Sequence, residues 1–506
     1  MLLTAAALPL AGQEPQLGTI TFPTSGASQA QPLFVRGVLY LHSFEYASAL
    51  RAFREARSAD PGFVMAYWGE ALAHTHPVWN EQDLDSARAV LARLGPMRAD
   101  RLARAATARE RAYLDAVETL YGDGSKPRRD TLYARAMLRM VEDFPDDPEA
   151  RTFAALAVLG LNQGVRDFGA YMQAAALAQP VFERNPDHPG AAHYLIHAFD
   201  DPLHAVLGLP AAHAYSRIAP DAAHAQHMTT HIFLARGMWD LVESQNTIAV
   251  ARTSRVPGHY TLWEFYAVLQ QGRFQDALAL LERARGAMTA GGEGRLMQRT
   301  RQATHLVLMR GHWLIETERW AGGPADWELG DSAPYAGHAD AFVRGYAALR
   351  RGDRATAMAM AAELTREAAA GRDSPALVME RELRAMLRMA DGAGEEAVTL
   401  LREAAAMEDA LPAEFGPPGI VKPSHELLGE VLLARQRPGE AQHEFARALA
   451  LAPGRARALA GLVRAAAAAG DREVAATTLR QLEASWRRAD GDAYDLTALR
   501  QLVAMR

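Results

Sequence analysis

One spacing of small, aromatic and proline residues occurs near both ends of the chain, and it constrains the fold more than any other sequence feature. On the N-terminal side it comprises Gly37, Tyr40, Ala49, Phe53, Ala56 and Pro61. The same intervals recur at Gly429, Leu432, Ala441, Phe445, Ala448 and Pro453. Small residues let two helices approach closely, an aromatic ring fills the space beside them, and a proline ends the second helix. The spacing therefore predicts pairs of packed helices.

Four glycines continue this register through the chain. Gly237, Gly272, Gly352 and Gly470 each fall at a predicted turn between two helices. With these features the sequence resembles the tetratricopeptide repeat (TPR) superfamily, whose units of about 34 residues are two antiparallel helices. We expect an all-α, TPR-like α-solenoid in which each unit buries its apolar face on its neighbours, with strands nearly absent.

Glycine- and proline-rich segments at 121–130, 286–294 and 411–423 predict loops between or across repeats. The predicted organisation is a possible signal remnant and N-terminal extension (1–22), N-terminal TPR-like repeats (23–120), central His-rich repeats (121–285), degenerate helical repeats with loops (286–423), and C-terminal repeats with a capping helix (424–506).

Composition excludes several classes of protein and of site. The 506 residues are 49% hydrophobic and 23% charged, as in ordinary soluble globular proteins, and no segment predicts a membrane span. The net charge of −6 argues against a nucleic-acid partner. The chain has no cysteine, so a transition metal must be held by His, Asp or Glu.

The N-terminal residues leave two interpretations of localisation open. An apolar run from Leu2 to Ala11 has the length of a signal-peptide core but lacks a basic segment before it. The chain is either exported, periplasmic for example, with its true start upstream, or cytoplasmic with an apolar terminus.

Histidines are concentrated in the centre of the chain. Eight of the 17 lie between residues 188 and 231. His193 and His197 are four residues apart, as are His227 and His231, so each pair shares one helix face. The second pair follows the first after 34 residues, one repeat length, which places the pairs at equivalent points of adjacent helices.

The two pairs predict a transition-metal site. Adjacent helices lie about 8–10 Å apart, which allows imidazoles from both to converge on one ion. His224 precedes the second pair by three residues and Asp200 follows the first pair by three, so both predict a further ligand or a hydrogen bond that fixes an imidazole tautomer. All-imidazole ligation suits copper, zinc, iron or nickel. We expect His204 and His213 to be structural.

Two further segments are candidates for the same site. Trp68, His74, His76 and Trp79 cluster around a predicted helix end, either as packing at a repeat boundary or as a wall of a ligand pocket.

The second segment follows a proline-rich loop. Glu426 and Glu430 lie four residues apart, either as a cation-binding or general acid–base pair or as a solvated helix face. We expect His425 to pack against a neighbouring helix.

The chain also resembles a group of large bacterial TPR proteins that contain three segments, HYxIH, HxxHMxxHI and GPPxxxKPSHE. Here these segments are 193–197, 224–232 and 416–426. The resemblance implies a shared site, and in TPR geometry it implies that His193, His197, His224, His227 and His231 face the concave groove. The resemblance does not indicate a particular reaction.

Familiar hydrolase and nucleotide-binding signatures are missing from the sequence. SHELLGE has Gly429 where a zincin helix needs its second histidine, and the chain has neither a nucleophile elbow nor a phosphate-binding loop. We therefore expect no nucleotide cofactor.

The leading hypothesis is a metal site used for chemistry on a small molecule or peptide, or for metal binding itself. One alternative is a non-catalytic scaffold that binds a peptide or protein in the groove. Another is a pH-responsive binder, because clustered imidazoles gain charge between about pH 5 and 7.

Overall fold

We describe the protein from a computed structural model. The structure describes residues 14–162, 166–253, 258–290, 296–327, 329, 337–371, 374–412, 416–490 and 495–504. The apolar run at 2–11 lies outside these ranges, as do 291–294 and 413–415 of the two later predicted loops.

Helices account for almost all regular structure. In chain order they are α1 (Gln31–His42), α2 (Tyr46–Ala59), α3 (Val64–Leu72), α4 (Leu84–Leu94), α5 (Arg98–Ala103), α6 (Ala108–Leu120), α7 (Lys126–Asp143), α8 (Pro148–Leu159), α9 (Phe168–Arg184), α10 (Pro189–Ala198), α11 (Ala205–Ile218), α12 (Ala223–Ala235), α13 (Trp239–Thr253), α14 (His259–Gln270), α15 (Phe274–Ala290), α16 (Leu296–Thr317), α17 (Gly337–Arg350), α18 (Arg354–Gly371), α19 (Ser374–Ala390), α20 (Gly394–Asp409), α21 (Ser424–Ala434), α22 (Pro438–Leu451), α23 (Ala456–Ala469), α24 (Arg472–Ser485) and α25 (Leu496–Ala504).

The remaining regular elements are short. Over the described ranges, the strands are β1 (Thr75–His76) and β2 (Glu81–Gln82), which pair antiparallel around a 3-10 turn at Pro77–Trp79. A second 3-10 turn spans Gly323–Asp326.

The helices divide between two compact units, each with its own hydrophobic core. The first unit comprises Met1–Phe199 and Gly208–Thr229, and the second comprises Asp200–Leu207 and Thr230–Arg506. The first core includes Phe22, Phe34, Phe53, Trp68, Tyr113 and Phe153. The second core includes Phe265, Trp313, Phe342, Phe445 and Leu482.

Within each unit the helices pack as the repeat spacing predicts. Consecutive helices pack against one another, as α1 does with α2 and α21 with α22. The first helix of a pair also contacts the first helix of the next pair, as α8 contacts α10 and α21 contacts α23.

The repeated aromatic residue packs against glycines of two neighbouring helices. A Cβ atom added to Gly37 of α1 would lie 2.7 Å from the Phe53 ring, and one at Gly69 of α3 would also collide with it. Phe445 is confined in the same way, because a Cβ atom at Gly429 would lie 2.9 Å from its ring. The small and large residues of the spacing are therefore complementary, which confirms the all-α, TPR-like solenoid fold.

The turns between paired helices use a left-handed residue. Gly237, Gly272, Gly352 and Gly392 each lie two residues beyond the end of a first helix, with φ between 65° and 81°. Left-handed backbone costs a glycine little and an L-residue about 1–2 kcal/mol. The equivalent position between α1 and α2 is Phe44, with φ 54°.

Candidate metal centre

Helix α10 brings two of the predicted ligands together in the first unit. His193 and His197 lie one turn apart on this helix, and their ring centroids are 4.8 Å apart. His193 is fully buried and His197 is half-buried. Two imidazoles that share one ion have centroids about 5 Å apart, because each nitrogen lies about 2.0–2.1 Å from the metal. The observed spacing fits one shared ion.

A third imidazole reaches the pair from α12. The His224 ring centroid lies 5.0 Å from that of His193, and its backbone N–H donates to Glu45 Oε1 at 3.3 Å. One ring nitrogen from each of His193, His197 and His224 lies within 4.8 Å of the other two. These three side chains form what we call the His193 cluster.

A hydrogen bond fixes the tautomer of His193. Its Nδ1 lies 2.7 Å from the backbone carbonyl oxygen of His42, which can only accept. The proton therefore resides on Nδ1, and Nε2 carries the lone pair that a metal requires.

His42 is itself held rigidly. Its Nε2 donates to Glu149 Oε2 at 2.7 Å, the Tyr194 hydroxyl donates to its Nδ1 at 2.9 Å, and its ring stacks on Phe153 at 4.7 Å. Burial lowers the pKa of His42, which favours the neutral ring. The residue whose backbone carbonyl oxygen accepts from His193 is therefore anchored through its side chain by a buried network.

Glu149 is the buried anion of this network. Besides His42, it accepts from His188 Nε2 at 3.1 Å, and the backbone N–H of Ala191 donates to His188 Nδ1. Burial alone would raise the pKa of Glu149, but His188 and His42 hold it well below its ordinary value. His42, Glu149 and His188 are close enough to bind a metal, yet every ring nitrogen is used in a hydrogen bond. We interpret them as supports of the His193 cluster.

Phe44 packs directly on the His193 cluster. Its ring centroid lies 4.3 Å from that of His193, 5.3 Å from His224 and 5.8 Å from His197. This aromatic residue occupies the turn position that four other turns give to glycine. Phe44 therefore keeps a strained left-handed backbone at the position where its side chain forms one wall of the cluster.

The β1–β2 hairpin supplies a second wall. The Trp79 ring lies 5.6 Å from His224 and 5.5 Å from Phe44, and it is 48% exposed. His76 stacks on Tyr46 at 3.8 Å, and Tyr46 stacks on Phe44 at 5.5 Å. The structure thus places the predicted residues His76 and Trp79 beside the His193 cluster.

The other two residues of that predicted wall lie elsewhere. Trp68 is 1% exposed and packs on Tyr113 and Phe153 at 5.3 Å, within the core of the first unit. The backbone carbonyl of His74 accepts from the Asp83 N–H at 2.9 Å, and burial lowers the pKa of the His74 side chain.

An apolar cavity shares a residue with the aromatic wall. Tyr46 lines it together with Leu41, Leu72, Thr75, Pro77, Leu120, Lys126, Asp130, Tyr133, Phe153, Leu156, Ala157 and Gly160. The Tyr46 hydroxyl is buried and has no hydrogen-bond partner among the residues that the structure describes. The Lys126 ammonium and the Asp130 carboxylate pair at 2.7 Å in the cavity lining.

The remaining predicted ligands are divided between the units. His227 is buried in the first unit, 6.2 Å from the His224 ring. His231 belongs to the second unit, where Asp200 Oδ2 lies 2.5 Å from its Nδ1. Asp200 thus serves an imidazole of the second pair. The convergence of both pairs on one ion stays a prediction.

Glu426 and Glu430 lie in an ionic network of the second unit. Glu426 is fully buried and accepts from Arg455 Nε at 2.7 Å and from Lys422 Nζ at 3.0 Å. Burial would raise the pKa of Glu426, but Arg455 and Lys422 lower it to about 2. Lys422 also donates to Glu430 at 2.6 Å. Glu426 therefore has the contacts of a structural ion pair.

Other residues extend this network. Arg455 also pairs with Glu316 at 2.7 Å and donates to the Tyr266 hydroxyl at 2.9 Å. His425 hydrogen-bonds Glu444 of α22 at 2.6 Å, as expected for a residue that packs on a neighbouring helix.

Comparisons with known proteins add likenesses of fold. No protein-family model and no curated protein sequence matches the chain. Human IFIT1, in a dimer with m7Gppp-AAAA, is 14% identical over 92% of this chain and 91% of its own, with a TM-score of 0.38. Yeast Tom70 is 13% identical over 94% of this chain and 95% of its own, with a TM-score of 0.28.

A third similar structure is the APC/C hetero-tetramer Cut9–Hcn1, at 11% identity over 95% of this chain and 97% of that one, with a TM-score of 0.30. Identities of this size say nothing about a shared ligand. Across the described ranges, no helix combines the length and hydropathy needed to cross a bilayer. From its own helix pairs, the chain is a TPR-like, all-α repeat protein.

Proposed function

We propose that the His193 cluster binds one transition-metal ion and that the protein uses it for chemistry on a small molecule. The observation that carries the proposal is the approach of three ring nitrogens, from two helices, to within 4.8 Å of one another. Imidazole donors suit copper, zinc, iron or nickel.

The supports of the cluster favour a metal over simple packing. His193 presents Nε2 because its Nδ1 donates to the backbone carbonyl oxygen of His42, a residue whose side chain is anchored by Glu149. Metal-binding histidines almost always have such a partner on their other nitrogen, and losing it costs about 10–100-fold in metal affinity.

Three protein ligands leave a coordination position for water or a substrate. In catalytic sites of this kind, the metal polarises a carbonyl or lowers the pKa of bound water. The exposed edge of Trp79 gives access from solvent, and the buried Phe44 ring excludes water where it packs on the cluster. The arrangement therefore suits a reactive centre better than a closed structural site.

The cavity beside Tyr46 has a volume of about 30 Å³, which is too small for a substrate. A small molecule would therefore reach the cluster from the side of the half-exposed Trp79.

Metal content tests the proposal. We expect untagged protein, purified without chelator, to contain a transition metal by elemental mass spectrometry. A His197→Gln, His224→Gln variant should contain one ion fewer per chain, because a site cannot hold its ion with two of three ligands removed.

His213→Gln is the matched control, since His213 is exposed in the same unit. Equal metal content in the cluster variant and the control, after loading with copper, zinc, iron or nickel, would contradict the proposal. The TPR-like fold would then favour the second candidate, a scaffold whose protein or peptide partner binds equally well in the presence of a chelator.

A further inference from the structure

A pocket of about 140 Å³ opens on the surface of the first unit, away from the residues of the His193 cluster. Four separate segments of the chain form its lining, which includes Thr21, Asp146, Arg151, Val181, Arg184 and His188. A cavity of about 150 Å³ is large enough to hold benzene. The pocket therefore has room for one small molecule.

The buried part of the lining is apolar and rigid. Val181 is 3% exposed and His188 is 1% exposed. The His188 Nε2 donates to Glu149 Oε1 at 3.1 Å, and the backbone N–H of Ala191 donates to His188 Nδ1 at 3.1 Å. Because Nδ1 accepts a hydrogen bond, it carries no proton and the ring is neutral. Both ring nitrogens are used within the protein, so the ring offers a ligand its carbon atoms.

Two arginines provide the positive charge of the pocket. Arg151 donates from Nε and Nη2 to the backbone carbonyl oxygen of Pro145 at 3.2 and 3.1 Å, which holds its guanidinium in place and leaves Nη1 for a ligand. Arg184 is exposed and makes no ion pair within the described ranges. Asp146 is the single carboxylate of the lining. Two guanidinium groups against one carboxylate leave a net charge of +1.

We propose that this pocket binds a small monocarboxylate with a short apolar body. Guanidinium groups pair with a carboxylate through two parallel, charge-assisted hydrogen bonds. The apolar body would pack on Val181 and on the His188 ring, which are already in place without a ligand. The net charge of +1 matches one negative charge, and Asp146 disfavours a dianion such as phosphate.

Titration calorimetry with benzoate tests the proposal on the full chain. The His197→Gln, His224→Gln variant serves as the starting protein, so that no metal at the His193 cluster can take up the carboxylate. We expect one benzoate to bind per chain. Benzylamine has a similar size and the opposite charge and should not bind, and inorganic phosphate should bind more weakly than benzoate.

Substitutions in the lining should change the affinity in opposite directions. Arg151→Gln and Arg184→Gln should each weaken benzoate binding by about 10-fold or more, because a charge-assisted hydrogen bond is lost. Asp146→Asn should strengthen it, because the negative charge of the lining is removed. Arg111→Gln is the matched control, since Arg111 is exposed elsewhere in the same unit. Circular dichroism and the thermal midpoint show whether each variant folds.

Four results would overturn the proposal: no benzoate bound by the folded starting protein, unchanged affinity in both arginine variants, benzylamine bound as tightly as benzoate, or phosphate bound more tightly. None of these results depends on the metal content of the wild-type chain, because the pocket and the His193 cluster share no residue. The two proposals therefore fail separately.

Discussion

Phe44 shows how a single residue departs from the repeat pattern. It has a left-handed φ of 54° at a turn position where Gly237, Gly272, Gly352 and Gly392 are found elsewhere. Its ring is buried at 6% exposure against three histidines. The conformational cost of about 1–2 kcal/mol is therefore offset by packing.

Replacing Phe44 by glycine should separate these two effects. The change relieves the strain but removes a buried aromatic ring, whose loss costs about 3–5 kcal/mol. We expect Phe44→Gly to lower the free energy of unfolding by about 2 kcal/mol, measured by urea denaturation, and to weaken metal binding.

Gln436 provides the matched control, since it has φ 59° at the equivalent turn between α21 and α22 and is exposed. Gln436→Gly should stabilise by up to about 1 kcal/mol. A change of the same sign at both positions would contradict our account of Phe44.

Sequence patterns predicted some residues of the candidate site, but they did not predict the buried residues that hydrogen-bond behind the His193 cluster. The four-residue spacing identified His193 and His197, and His76 and Trp79 were selected as a cluster of aromatic and imidazole side chains. His42 and Glu149 were not predicted, because they reach His193 through contacts more than 100 residues apart in sequence. Phe44 could have been identified from the sequence, because it occupies the turn position at which four other helix pairs have glycine.

At the scale of elements, α14, α16, α21 and α23 of the second unit enclose charges within their interface. Arg455 at the start of α23 meets Glu316 of α16 and Glu426 of α21. Removing one partner of a buried pair costs about 3–5 kcal/mol, because it leaves the other charge buried without compensation. The helical period placed Glu426 on one face, but the sequence did not show which cation faces it.

His312 of α16 makes this interface sensitive to acid. Its ring lies 4.9 Å from that of Tyr266 and is fully buried. Burial, with a smaller effect of Arg455, lowers the pKa of His312 to about 3. The unfolded chain takes up a proton below about pH 6.5 and the folded chain does not, so stability is lost as the pH falls.

We expect the free energy of unfolding to fall by about 2 kcal/mol through His312 when the pH is lowered from 6.5 to 5.0. His312→Phe should reduce the pH dependence by that amount in urea denaturation at the two pH values, while the exposed-site control His443→Gln keeps the wild-type dependence. An unchanged dependence in His312→Phe would show that His312 is not held neutral.

At the scale of the whole molecule, each of the two units has a separate core, and the His193 cluster lies in the first unit. A ligand that binds only the folded state stabilises it by about 2.7 kcal/mol at a concentration 100 times its dissociation constant. Metal should therefore stabilise the chain against unfolding, and a chelator should reverse the effect.

Urea denaturation with and without a saturating metal checks this expectation. The His197→Gln, His224→Gln variant should lose this stabilisation, because two of the three ligands of the His193 cluster are removed. Identical stabilisation of this variant and the wild type would assign the binding to other residues.

The helix-pair fold was predictable over the residues that the structure describes, because it depends on local periodicity and on a spacing that repeats. The division into two units was not, since it depends on which helices share a core. Part of the boundary, between Thr229 and Thr230, falls inside α12, where no proline or glycine marks it.

The left-handed turn also has a consequence for protein engineering. A Cβ atom placed on Gly352 or Gly392 would meet nothing within 4 Å, whereas one on Gly237 would collide with the Pro453 carbonyl. The two open turns are therefore sites where an aromatic residue can be introduced for about 1–2 kcal/mol without changing the length of any repeat. A helical repeat of this kind can thus gain a wall for a new ligand by a single codon change at a turn.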